Sequence, residues 1–308
     1  MSEGKTAENA VEQIKLGVVG LGVMGAPIAR RLSARGFNPQ VADPHPRTIQ
    51  LYIMEGGANP AATAMHLAQM NSVLVMSLPD DASLRDAVTG TNGIAHGVKP
   101  GTIVIDMSGG DPETGAALGR ALAPRGAVWV EAVPIGTPKQ AAAGKLTILA
   151  GGQPGALDKA APLLEALAER VIRTGPIGSA ALARSLAGLL TAFSVAATTE
   201  ALIVAKRFGL ERAAALKAIE AAGPFPGSPP ALSAEQILAE RPATGYPLTR
   251  AIADIDRVRA TAARSGVPLP LAAALREICA AARLNLESSD ELSALVRWME
   301  RAARTELK

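Results

Sequence analysis

Between residue 16 and residue 176, short apolar runs alternate with Ala-rich stretches of helical periodicity. The runs lie at 16–19, 39–42, 72–78, 102–107, 128–132, 146–150 and 170–174. Strands separated by helical crossovers are the signature of parallel βαβ units, so the alternation predicts an α/β domain with a doubly wound sheet over 15–177. The pattern changes after Gly175-Pro176-Ile177-Gly178. Residues 179–208 hold no proline and one interior glycine, which predicts a single helix of about 45 Å. Only helical patterns follow, broken at 223–230 and 241–245, and predict a second, all-helical domain over 178–308. The polar, acidic stretch 1–14 reads as a mobile leader and not as a signal peptide.

The first strand ends in Gly20-Leu21-Gly22-Val23-Met24-Gly25 and runs directly into a helical pattern. In that context each glycine has a task. Gly20 permits the tight turn, Gly22 lets backbone approach a pyrophosphate, and Gly25 lets helix and strand pack closely. The helix N-terminus supplies amides and a positive dipole end to the phosphates. Asp43 follows about 20 residues on, where a ribose-binding acid belongs. Its carboxylate accepts from a ribose diol and repels a 2′-phosphate, so NAD is favoured over NADP. His45 and Arg47 leave some tolerance for NADP.

Composition narrows the alternatives. The chain has 308 residues, 48% hydrophobic and 19% charged, with a net charge of +3, enough for two cored domains. No basic run and few aromatics argue against nucleic acid. No apolar segment reaches a membrane span without a charge or a Gly/Pro break. A single cysteine, Cys279, in an apolar helical stretch, suits a core position in a reducing cytoplasm. The histidines at 45, 66 and 96 have no metal-ligand spacing.

With these motifs in place, the chain resembles the β-hydroxyacid dehydrogenase family over nearly all of residues 15–300. The likeness rests on Gly20–Gly25 with Met24 before the third glycine, on Leu78-Pro79 at a strand end, and on Asp106-Met107-Ser108-Gly109-Gly110-Asp111-Pro112. It continues in Gly144-Lys145-Leu146 through Gly151-Gly152, in Gly175-Pro176-Ile177-Gly178-Ser179, and in Gly245-Tyr246-Pro247-Leu248 through Asp254-Ile255. The resemblance implies that Gly20, Gly22, Val23, Met24, Gly25, Asp43, Leu78 and Pro79 border the cofactor, Leu78-Pro79 beside the nicotinamide ribose. It implies that Ser108 contacts substrate, that catalysis occurs where the strand ends meet the helical domain, and that helical domains build a homodimer or tetramer. A lid formed by Phe225 and its proline-rich loop is a further expectation.

The departures from the family all concern chemistry. Its catalytic lysine, nine residues after the first glycine of the turn at Gly175, corresponds to Arg184. The asparagine one helical turn later is Gly188, the Ser-Gly-Gly loop is Ile135-Gly136-Thr137, and the lysine before Asp254 is Ala253. Arginine stays charged and is a poor proton donor, yet it polarises a carbonyl or clamps a carboxylate. The alternative for Arg184 is a surface position on an Ala-rich helix. The proton then needs another carrier: water, Ser108, Tyr246 or Asp254. Tyr246 also reads as packing, and Ser108 as a turn cap.

The reading is a cytoplasmic, NAD-dependent oxidoreductase acting on a C–OH/C=O centre of a small hydroxy acid, alcohol or aldehyde. Arg184 is its catalyst, and Ser108, Ile135, Thr137 and Tyr246 are its substrate contacts. The alternatives are C=N reduction of the imine-reductase type, a nicotinamide-binding protein without turnover, and transient oxidation by NAD.

Overall fold

In the computed structural model, the described residues are 14–207, 209–221, 246–264, 266–284, 291–292 and 294–306. Residues 1–13 of the expected leader, the breaks at 223–230 and 241–245, and Phe225 lie outside them, while Ile14 packs against the first core. The elements run β1 (Leu16–Val19), α1 (Gly25–Ala34), β2 (Gln40–Ala42), α2 (Pro46–Met54), α3 (Ala64–Met70), β3 (Val73–Met76), α4 (Asp81–Thr89) and β4 (Ile103–Asp106). They continue with α5 (Pro112–Leu122), β5 (Val128–Ile135), α6 (Pro138–Ala143), β6 (Leu146–Gly152), α7 (Pro154–Leu167), β7 (Ala168–Gly175) and α8 (Ser179–Arg207). The last elements are α9 (Arg212–Ala221), α10 (Leu248–Arg264), α11 (Pro270–Arg283) and α12 (Ala294–Ala302). The chain divides into two compact units, Met1–Arg184 and Ser185–Lys308.

The first unit is a Rossmann domain around a seven-stranded sheet in the order β2-β1-β3-β4-β5-β6-β7. The alternation along its strands sorts the core into two layers. Val18, Val75, Ile105 and Val130 face one way, with Ile28 and Leu32 of α1 and Leu163 and Leu164 of α7. Val19, Met76, Val104 and Trp129 face the other way, with Leu67 of α3, Leu84 of α4 and Leu118 of α5. Both faces are covered, as a largely parallel sheet requires.

One expectation is corrected. Strands β1 to β5 are parallel, but β6 pairs antiparallel to β5, and β7 follows β6 in direction. The cause is the short link from Ile135 to Leu146, whose helix α6 has only 6 residues. A right-handed parallel crossover needs a dozen or more. Strand ends also shift: β5 extends past 132 to Ile135, and β7 covers Ala168–Gly175.

The second unit is helical. Its core joins Leu189, Ala192 and Val195 of α8 with Ala251, Ile252 and Ile255 of α10, Leu275 and Cys279 of α11, and Leu295 and Met299 of α12. Positions 251, 252, 255 and 258 form one apolar stripe on α10, the spacing of a core-facing helix. Cys279 is buried there, and burial pushes its thiol up to about 11. Helix α8 is continuous over 29 residues despite Gly188. Its segment Ser179–Thr199 is long and apolar enough to cross a membrane by composition alone, yet it contains buried Arg184 and helps build the second core.

Candidate functional site

The glycine loop after β1 has the shape that its spacing predicts. Gly20 sits at φ +92°, where an added Cβ would overlap the Ser77 carbonyl. A Cβ on Gly25 would overlap the Gly20 carbonyl, so only glycine lets α1 start this close to the turn. Nothing lies within 4 Å of a Cβ built on Gly22, and Val23 is exposed. Helix α1 begins without a side-chain cap and without an acid in its first turn. Open backbone and uncapped amides at a helix N-terminus fit a pyrophosphate. Asp43 follows β2, and its carboxylate accepts from the amides of Leu21 (2.8 Å) and His45 (2.9 Å). A carboxylate has about four acceptor directions, so it can hold this loop and still receive a ribose diol.

The ends of β3 and β4 are tied together through Ser108. Its hydroxyl accepts from the Leu78 amide at 3.1 Å, while its amide donates to Asp106 Oδ1 at 2.8 Å. Leu78 is buried and Pro79 exposed at this corner. Burial pushes Asp106 up to about 6 against the opposing pull of Ser108, with a smaller upward push from Asp81.

Arg184 is buried, 6% exposed, not on the surface of its helix. Its Nη2 lies 3.4 Å from the Gly109 carbonyl. Gly109 has φ +66°, and a Cβ there would come within 3.2 Å of Arg184 Nε and 2.9 Å of Val133. The missing side chain makes room for the guanidinium at the carboxyl end of β4.

At the end of β5, Ile135 is 40% exposed. The Thr137 hydroxyl belongs to a capping box at the start of α6, accepting from the Gln140 amide and bonding the Gln140 side chain. Its spacing, Thr137-x-x-Gln140, is a legible helix start. Thr137 shapes the loop, and Ile135 supplies its exposed apolar surface.

In the second unit, Tyr246 Oη donates to Asp254 Oδ2 at 2.5 Å. Asp254 is fully buried and also pairs with Arg257 at 3.0 Å and Ser185 at 3.4 Å. A Cβ on Gly188 would overlap both the Tyr246 hydroxyl and Asp254 Oδ2. Glycine at 188 therefore leaves the room that the Tyr246 hydroxyl and the Asp254 carboxylate occupy. Gly188→Ala is expected to lower the unfolding temperature by several degrees, since overpacking costs about 1–3 kcal/mol. Tyr246→Phe removes the nearer of the two contacts and should relieve part of that loss, the Asp254 carboxylate still lying 2.7 Å from the new Cβ. Additive effects in the double variant, measured by thermal unfolding, would disprove the coupling.

Sequence reasoning missed Glu131. It lies mid-strand in β5, 1% exposed, in register with Asp106 on β4. Burial pushes its carboxyl up to about 7, opposed by the amides of Gly178, Ala180 and Ala181 and reinforced by Asp106. A charge inside the apolar run 128–133 was the available signal, because a buried carboxylate needs partners.

Comparison with known proteins gives two family matches. Residues 15–175 match the NAD-binding domain of 6-phosphogluconate dehydrogenase, and residues 178–299 match the NAD-binding model of NADP-dependent 3-hydroxyisobutyrate dehydrogenase. The 2-(hydroxymethyl)glutarate dehydrogenase of Eubacterium barkeri is 25% identical over 292 residues, covering 94% of this chain and 96% of its own. Mycobacterium tuberculosis 3-hydroxyisobutyrate dehydrogenase, solved with L-serine, superposes with a TM-score of 0.81 at 23% identity, over 93% of this chain and 99% of its own. The V8 variant of the imine reductase from Myxococcus stipitatus, solved with NAD+, shares the fold at a TM-score of 0.65 and 16% identity, over 93% and 99% of the two chains.

Proposed function

The chain belongs to the β-hydroxyacid dehydrogenase family, an NAD-binding oxidoreductase of CH–OH donors, and we propose that it oxidises or forms the hydroxyl of a small hydroxy acid with Arg184 in place of a catalytic lysine. The observation that carries this reading is the buried Arg184 guanidinium at the Gly109 carbonyl, on the strand edge that bears the open glycine loop. Gly20, Gly22, Val23, Met24, Gly25 and Asp43 would hold NAD, with Leu78 and Pro79 at the next strand end. The bound nicotinamide supplies the hydride acceptor. A fixed guanidinium there steadies the oxygen on which charge develops, or clamps the substrate carboxylate.

Because arginine does not release a proton at ordinary pH, another group carries it. Ser108 is our candidate: its amide already donates to the Asp106 carboxylate, and its hydroxyl would take the substrate proton while passing its own to that neighbouring carboxylate. Ile135 adds an apolar contact for the substrate's carbon skeleton. Tyr246, anchored on Asp254, remains our further candidate for a substrate contact. A reducing cytoplasm suits the buried free thiol of Cys279. The exposed Leu186 and Leu190, one turn apart on α8, suit a homodimer or tetramer through helix packing.

The test follows nicotinamide absorbance with NAD and NADP across hydroxy acids, alcohols, aldehydes and cyclic imines. Turnover of hydroxy acids or their aldehydes, with NAD the better cofactor, is expected. Turnover of imines alone, or none while NADH binds, overturns the reading.

A further inference from the structure

The carboxyl group of Glu131 has a niche built from four elements. Gly115 of α5 and Gly151 of β6 stand against it, and a Cβ on either would come within 3.0 Å of a carboxyl oxygen. Asp106 lies beside it on β4. The fourth element is the start of α8: Ala180 donates its amide to Glu131 Oε2 at 3.3 Å. Thr174 and Ser179 hydroxyls meet 2.7 Å apart at the same turn.

A helix leaves its first amides without partners inside the helix. Here the acceptor comes not from the residue before the helix but from a side chain 49 residues away on the central sheet. That bond ties the beginning of α8 to β5. Arg184 is only four residues beyond Ala180, about one turn along the same helix. Its guanidinium meets Gly109 at the end of β4, the strand paired with β5. Sheet, helix start and guanidinium thus form a closed circuit within the first unit.

We propose that Glu131 is a positioning residue for Arg184: by anchoring the first turn of α8 to β5, it fixes where the guanidinium stands relative to the end of β4. This rests on the catalytic reading of Arg184 given above. It requires an acceptor oxygen at the reach of a glutamate side chain. Glutamine meets that requirement. Aspartate, one methylene shorter, keeps the charge but withdraws it from the helix.

The experiment compares Glu131→Gln and Glu131→Asp with the unaltered protein. Hydrogen exchange of the peptide covering 179–186 is measured beside NADH affinity, kcat and KM. In Glu131→Asp, exchange in that peptide is expected to rise about tenfold over other helical peptides. Its kcat should fall about a hundredfold, the cost of misplacing a catalytic group by about 1 Å, with NADH affinity unchanged. Glu131→Gln should restore both readouts to near the original values. Two results overturn the proposal: unchanged exchange and kcat in Glu131→Asp, or equal losses in both variants. If the unaltered protein turns over no hydroxy acid, the catalytic reading has failed. The exchange data then still decide whether Glu131 anchors the helix.

Discussion

Arg184→Ala is expected to lower kcat/KM for the hydroxy acid by two to three orders of magnitude, with NADH affinity staying within about twofold. The size follows from loss of a preorganised cationic donor at an oxygen that gains charge, worth about 10²–10³ in rate. NADH affinity should hold because the groups proposed to hold the cofactor, from Gly20 to Gly25 and Asp43, are built from β1, α1 and β2, away from the guanidinium. Arg184→Lys restores part of the rate at most. An ammonium is a compact point charge on a flexible stem, whereas the guanidinium is a planar fork, and here it stands over a backbone shaped by the φ of Gly109. Steady-state kinetics and fluorescence titration of NADH decide the matter. Unchanged turnover in Arg184→Ala would remove Arg184 from the mechanism. Ser108→Ala is the useful companion: a rate loss there, with NADH still bound, supports the proton route through Asp106.

What the sequence made legible, and what it concealed, has physical causes. Gly20, Gly22 and Gly25 were readable because each answers a local demand: a positive φ, an open approach and a close helix start. The direction of β6 was not readable from its apolar pattern, since an apolar strand looks alike either way. The length of the link from Ile135 to Leu146 held the information instead. Thr137 reads only as a substrate-loop position by family resemblance, while its spacing to Gln140 also signals the capping box that its hydroxyl closes at the start of α6. The coupling of Gly188 to Tyr246 joins residues 58 apart, so only the packed second unit reveals it. The same holds for Glu131. Its charge within an apolar run announced a special partner, but the partner is a helix start that the sequence alone does not place beside it.

That buried acid also sets a pH dependence whose sign can be worked out. Glu131 is raised from 4.5 to about 7, and Asp106 from 3.8 to about 6, both chiefly by burial. The folded state therefore keeps these protons to higher pH than the unfolded chain does. Where the folded state binds more protons, stability falls as pH rises. The contribution is neutral only below about pH 3, where both states are protonated. The loss accumulates as pH climbs to about 7 and is complete above it. For Glu131 the loss amounts to about 3 kcal/mol, opposed by the α8 amides that already temper the shift. Glu131→Gln cannot titrate and retains an acceptor oxygen. Its unfolding free energy should match the original protein at pH 4.5 and exceed it by up to about 3 kcal/mol at pH 8. Trp129 lies in the same strand and layer, so urea unfolding followed by its fluorescence in a Trp298→Phe background reports on the first unit. A difference between the two proteins that stays constant from pH 4.5 to 8 would show that Glu131 titrates normally and is not sealed in the niche. A difference that widens with pH would show that the chain retains a carboxyl group there at a cost in stability.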